Sequence, residues 1–110
     1  MFNSNLPDPE LLKALLQPLL EDFQHWFERS ATLLETEEIP FLNAEQQSDL
    51  LVRVKQTQQE VRATQALFHI MGGKVGVEMA VLIPWQNLLT ECWQVAMRFR
   101  LEQSANSGKK

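Results

Sequence analysis

The sequence predicts an all-α protein in which three long helices form a bundle, completed by homodimerisation. Its composition disfavours a sheet, because tyrosine is absent and only four of the 110 residues are glycine. Leucine, glutamine, glutamate and alanine, which favour helices, are abundant instead. Apolar residues also recur at steps of three and four, the period of an amphipathic helix. We therefore expect one domain over residues 8–103, between a flexible N-terminus over 1–7 and a flexible tail over 104–110.

The first helix is predicted over residues 8–35. Asp8 can cap its free backbone N–H groups, and Pro9 suits the first helical position. Its apolar stripe consists of Leu12, Leu16, Leu19, Phe23, Trp26 and Leu33, widened by Leu11, Leu15, Leu20, Phe27 and Leu34. A face this broad is typical of a bundle core. Pro18 removes one backbone hydrogen bond within the pattern, so we expect a kink there.

The second helix is predicted over residues 44–71, after Pro40 has ended the first. Asn43 and Gln46 approximate a capping box, and Gly72 or Gly73 provides the stop. The predicted apolar seam consists of Leu50, Val54, Thr57, Val61, Thr64, Phe68 and Met71. The two threonines weaken this seam and suggest a close approach between helices.

The third helix is predicted over residues 77–103, with a bend at Pro84. It is apolar on nearly every side, through Trp85, Leu88, Leu89, Cys92, Trp93, Val95, Ala96, Met97 and Phe99. A helix of this kind is usually the central one of a bundle, so we expect Trp93, like Phe23, in the core. Two helices thus carry apolar faces wider than one packing seam, and a second copy of the chain would cover them.

Charge is distributed unevenly along the chain. The net charge is −4, but residues 1–49 carry −8 and residues 50–110 carry +4. We interpret this as helices of opposite charge lying side by side, and alternatively as an acidic docking face for a basic partner. The basic residues are few and scattered, which disfavours nucleic-acid binding.

No targeting or membrane segment is predicted. The N-terminus lacks the features of a secretory signal, and the apolar window over residues 75–85 is far shorter than the roughly 20 residues of a membrane helix. Cys92 is the single cysteine, so neither an intrachain disulfide nor a cysteine-based metal site is expected. We expect a cytoplasmic protein that does not span the membrane.

Few residues suggest chemistry, and we expect a protein that is not an enzyme and binds no cofactor. The stretch "GGKVG" lacks the hydroxyl residue and the strand of a phosphate loop. Asp22 and His25 share one side of a helix, as metal ligands do, but a di-iron bundle needs further carboxylates and a second such pair. A metal-binding bundle that uses Asp22 and His25 therefore stays an alternative.

Two further alternatives concern binding. Trp26, Trp85 and Trp93 could line a pigment or lipid pocket, although aromatic residues at helical spacing usually form core. The segment over residues 72–85 is predicted to be a docking element for a second subunit or a partner protein, unless it is ordinary core. Its candidate contact residues are Glu78, Met79, Val81, Leu82, Ile83 and Trp85.

The segments "LLEDFQHWFERSATLLE", "VGVEMAVLIPW" and "TECWQVAMRFR" resemble a small family of cyanobacterial proteins of unknown function. The resemblance extends from about Leu6 to Glu102. It implies a soluble protein inside a photosynthetic bacterium, with a link to the photosynthetic apparatus or to carbon metabolism, and it transfers no catalytic residue. Together with the residue pattern, it predicts a non-enzymatic protein–protein interaction module, which is an adaptor or an assembly or regulatory factor.

Overall fold

A computed structural model describes residues 9–71 and 79–107, which form three helices and no strand. Helix α1 spans Pro9–Thr36, α2 spans Ala44–Ile70 and α3 spans Met79–Ser107. The predicted all-α fold is therefore confirmed, while its completion by a second copy stays a prediction. Helix α1 continues through Pro18 and α3 through Pro84, and the bends expected there also stay predictions. The predicted glycine stop at residues 72–73 lies outside the described residues.

The start of α2 has the predicted capping box. The Asn43 side chain accepts a hydrogen bond from the Gln46 backbone N–H (2.7 Å), and the Gln46 side chain accepts one from the Asn43 N–H (2.9 Å). Two backbone donors that an α-helix leaves unpaired are thereby satisfied. These two hydrogen bonds fix the residue at which α2 begins.

The neighbouring side chain, Gln47, closes the connection between α1 and α2. Its Nε2 group donates to the carbonyl oxygens of Leu34 (2.9 Å) and Glu37 (2.7 Å). Its Oε1 atom accepts from the backbone N–H of Ile39 (3.0 Å), a residue fully buried at this end of the bundle. One amide thus binds three backbone groups that the end of α1 leaves without helical partners.

All three helices contribute to one apolar core. The Phe23 ring of α1 stacks on Phe27 (centroids 6.0 Å apart) and meets the edge of Trp85 from α3 (5.5 Å). The Trp85 Nε1 group donates to the Glu60 carboxylate on α2 (3.1 Å). Helix α2 contributes four residues of its predicted seam, namely Leu50, Val54, Val61 and Phe68. The seam prediction is confirmed for these four, whereas Met71 is exposed.

The prediction that α3 is the central helix is wrong, because α1 occupies that position. Helix α1 packs against both others. Helices α2 and α3 are joined by side chains, through the hydrogen bond from Trp85 to Glu60 and the two from Arg53 to Glu91 (2.6 and 3.2 Å). The ion pair between Lys55 and Glu35 also joins the basic and acidic parts of the chain across α2 and α1.

Trp93 is not a core residue, because 56% of it is exposed. The buried residues of α3 are Leu82, Trp85, Leu88, Cys92 and Phe99. Trp93 follows Cys92, and one residue is about 100° of helical rotation, so it points away from this face. On α1, Leu19 and Trp26 were likewise predicted in the core stripe and are exposed.

The described helices form an elongated body that leaves much apolar surface uncovered. Its extents are 67 × 25 × 19 Å and its radius of gyration is 17.8 Å, against about 13 Å for a compact domain of this length. No helix within residues 9–71 and 79–107 is long and apolar enough to cross a bilayer.

We predict that truncating Phe23 is costly and that truncating Trp93 is not. Phe23→Ala should lower the free energy of unfolding by about 3–5 kcal/mol, because it removes buried contacts and leaves a cavity. Trp93→Ala should cost less than about 1 kcal/mol, as exposed substitutions do. Urea unfolding of dilute protein, so that association does not contribute, measures both. Equal costs would show that the core is wrongly assigned.

Gln47→Ala should destabilise the chain by about 1–3 kcal/mol, because a buried backbone N–H and two carbonyls lose their partner. Gln56→Ala is the matched control, since Gln56 is an exposed glutamine of the same helix. Its urea midpoint should equal that of the unmodified chain. A Gln47→Ala midpoint equal to the control's would contradict the role of this side chain in closing the hairpin.

Candidate functional site

A groove between α1 and α3 is the candidate functional site. We call it the tryptophan groove and define it by Trp26, Ser30, Leu33, Leu89, Cys92 and Trp93. Its volume is about 440 Å³, and a further hollow of about 250 Å³ continues past Trp93 beside Gln86 and Thr90. Trp26 is 42% exposed, so two large aromatic side chains are half in water. Large apolar side chains exposed together on one face are typical of an interaction site.

Trp26 lies between two flanking side chains. The edge of the His25 ring meets the indole with centroids 5.0 Å apart, and the Arg29 guanidinium carbon lies 5.5 Å from the indole centroid. The Ser30 hydroxyl donates to the Trp26 carbonyl oxygen (2.9 Å). His25 therefore contacts an aromatic ring, and both it and Asp22 are exposed. In the described part of the chain no group of three or more His, Cys, Asp or Glu residues could hold a metal ion.

Cys92 forms the floor of the groove and is 3% exposed. Burial raises the pKa of its thiol to about 11, against the opposing effect of a hydrogen bond with Ser30. A thiol with this pKa is protonated at neutral pH, and the thiolate is the nucleophilic form. Cys92 therefore acts here as a small apolar side chain.

A larger hollow of about 940 Å³ opens at the end of the α1–α2 hairpin. Glu35, Glu37 and Glu38 surround it, and the acidic docking face that the charge distribution suggested stays a prediction. Gln47 also lines this hollow, and its side chain is already bonded to the backbone through both its oxygen and its nitrogen. We favour the tryptophan groove because exposing large aromatic rings to water is unfavourable, whereas exposing carboxylates is not.

The predicted docking segment is divided by the structure. Leu82 and Trp85 are buried in the core, whereas Val81 and Ile83 are exposed. Glu78 and the side chain of Met79 lie outside the described residues. A role of this segment in partner binding stays a prediction, and its exposed side chains among those described are Val81, Ile83 and Pro84.

A family model described as a protein of unknown function, DUF2605, matches residues 6–101. The chain belongs to the DUF2605 family. This confirms the resemblance to a family of unknown function that the sequence segments indicated. Both tryptophans of the groove lie within the matched part of this DUF2605 domain. No curated protein and no solved structure matches the chain.

Sequence reasoning placed both groove tryptophans in the core, although one signal was available against it. Trp26 belongs to a stripe with a four-three spacing that also contains Asp22 and Arg29. Charged residues are rarely fully buried, so a stripe that carries two of them belongs on the surface. No comparable pattern in the sequence indicates that Trp26 of α1 and Trp93 of α3 line the same groove.

We predict a pH dependence of stability that originates at Cys92. Its folded pKa of about 11 lies above the ordinary value of 9.0, so the unfolded chain loses this proton first as the pH rises. The buried, protonated thiol therefore makes its full contribution to the free energy of unfolding below about pH 9. This contribution is lost progressively between about pH 9 and pH 11. Urea midpoints measured across this range should fall more steeply for the unmodified chain than for Cys92→Ala. An equal fall of the urea midpoint with pH in both proteins would contradict a raised pKa at Cys92.

Proposed function

We propose that this DUF2605 protein is a non-enzymatic protein–protein interaction module, an adaptor or an assembly or regulatory factor. It docks through the tryptophan groove. The observation that carries the proposal is the pair of half-exposed tryptophans on neighbouring helices. Tryptophan and arginine are the residues most enriched among those that dominate binding energy at protein interfaces.

The shape of the groove favours a helix as its occupant. It runs between two helices, and side-chain ridges of a third helix fit such a depression. Its apolar floor is formed by Leu33, Leu89 and Cys92, while Arg29 and Arg100 add charged groups to its lining. An apolar centre with polar groups around it is the usual arrangement of a protein interface.

A carrier of a pigment or lipid is the second candidate, and the groove volume favours it. About 440 Å³ lies within the range of roughly 300–1,000 Å³ found for small-molecule sites. Such sites bury most of their ligand, however, and here both tryptophans remain half exposed beside the opening. An absorption spectrum of protein purified from its own cells detects a bound pigment, which absorbs visible light, and mass spectrometry of an organic extract detects a bound lipid; an adaptor gives neither signal.

The proposed setting comes from the resemblance to cyanobacterial proteins. We propose that the protein acts in the cytoplasm of a photosynthetic bacterium and serves the photosynthetic apparatus or carbon metabolism.

We predict that a photo-crosslinking amino acid at position 93 forms a discrete protein adduct inside the cells that make the chain. The same amino acid at position 59 is the control, because Gln59 is exposed on α2, away from the groove. Trp26→Ala should reduce the adduct at position 93, since it removes half of the aromatic surface. Mass spectrometry of the adduct then reports its partner.

Two results would count against the interaction module. One is the absence of any protein adduct at position 93, and the other is an adduct pattern identical at positions 93 and 59. A small-molecule adduct alone would support the carrier.

A further inference from the structure

We propose that the occupant of the tryptophan groove is helix α1 of a second copy of the chain, in an antiparallel dimer centred beside Trp26. This inference rests on the proposed function and names the partner of the same site. It follows from three observations: the spacing of an exposed stripe on α1, the position of two charges on that stripe, and the surface that α3 leaves uncovered.

The stripe consists of Leu15, Leu19, Asp22, Trp26, Arg29 and Leu33, at steps of four, three, four, three and four. This is the spacing by which one helix packs along another over several turns. The core of the same helix is formed by a different set, which includes Leu20, Phe23 and Phe27. Within the stripe Leu15 is 62% exposed. Against the described residues, helix α1 therefore carries a second seam that is exposed at every position except Leu33, which packs partly on the core.

The charges on this seam select the orientation of the partner. Asp22 precedes Trp26 by four residues and Arg29 follows it by three. In an antiparallel pair centred beside Trp26, Asp22 faces Arg29 of the second copy, and two-fold symmetry repeats the contact. In a parallel pair, Asp22 would face Asp22 and Arg29 would face Arg29. Like charges that face each other are destabilising, so the seam favours antiparallel packing.

Helix α3 provides the flanks of the same interface. Trp93, Met97 and Leu101 recur every four residues and are all exposed, Leu101 to 65%. Cys92 lies beside Ser30, and Arg98 lies over the Phe41 ring (4.1 Å), beyond the end of α1. Met97 and Leu101 are therefore near the C-terminal end of α1.

In the antiparallel dimer the C-terminal end of one α1 lies beside the N-terminal half of the other α1. Leu11, Leu15 and Leu19 are the exposed apolar residues there. One symmetric contact thus covers these three leucines with Met97 and Leu101 of the other copy, and places both tryptophans at its centre. A buried aromatic centre is where binding energy concentrates in an interface.

The chain exposes more surface than a compact monomer of its size. Its accessible surface is 7880 Å², whereas a compact monomer of this mass exposes roughly 6,200 Å². Pairing two copies along α1 would remove part of this excess from water.

Charge reversal tests both the dimer and its orientation. Asp22→Arg and Arg29→Asp should each raise the dimer Kd by about tenfold or more, because each variant creates two like-charge contacts across the axis. The double variant, Asp22→Arg with Arg29→Asp, should restore the Kd to within about threefold of the original, because opposite charges face each other again. Sedimentation equilibrium measures the Kd, and circular dichroism confirms that each variant is folded.

Glu28→Arg is the matched control, since it makes the same change of charge at an exposed position of α1 outside the seam. It should leave the Kd unchanged. An effect equal to that of Asp22→Arg, or a double variant no tighter than the single ones, would overturn the inference. So would a wild-type mass of 12.7 kDa at tens of micromolar protein. If the chain is monomeric but still crosslinks to another protein at position 93, only the dimer fails and the interaction module stands.

A distance measurement tests the orientation without altering the seam. Spin labels are attached to Gln17→Cys and, separately, to Thr32→Cys in a Cys92→Ala background; both positions are exposed. In the antiparallel dimer the two labels are separated along the helix axis by about 26 Å at position 17 and about 20 Å at position 32. A parallel dimer would give no axial separation at either position, and equal distances would overturn the proposal.

Discussion

The position of α3 depends on one side chain, Trp85. It is 2% exposed, meets the Phe23 ring of α1 and donates its indole N–H to Glu60 of α2. An indole N–H buried without a partner is costly, so this hydrogen bond and the ring contact together fix the rotation of α3 about its own axis. Trp93 follows eight residues later, which is about 80° around the helix. Once Trp85 points inward, Trp93 must lie outside the core, and the tryptophan groove follows from that rotation.

Helix α1 completes the groove because it is apolar on two faces. One face contains Phe23 and Phe27 and packs against both other helices. The other contains Leu19 and Trp26 and turns toward solvent beside α3. The second face of α1 stays exposed although α1 packs against both other helices. A further helix is the simplest element that would cover this apolar surface of the DUF2605 domain.

How much the sequence predicts differs from helix to helix. Helix α2 has one apolar seam and a capping box, so its start and its buried residues Leu50, Val54, Val61 and Phe68 were predictable. Periodicity also predicts that α1 and α3 are helices, but it cannot say which of several apolar faces is buried. That choice is made by the contact between Phe23 and Trp85, which lie far apart in the sequence. The groove depends on the same long-range contact, so single-sequence reasoning placed Trp26 and Trp93 in the core.

The closure of the hairpin by Gln47 has a consequence for how the chain reaches this structure. The three backbone groups that it binds, on Leu34, Glu37 and Ile39, lie at most 13 residues away along the chain. Closing a short loop loses little chain entropy, and contacts between near neighbours form quickly. The contact that positions α3 joins residues 62 positions apart, Phe23 and Trp85. Topology therefore favours a folding order in which α1 and α2 pair first and α3 docks onto the finished hairpin.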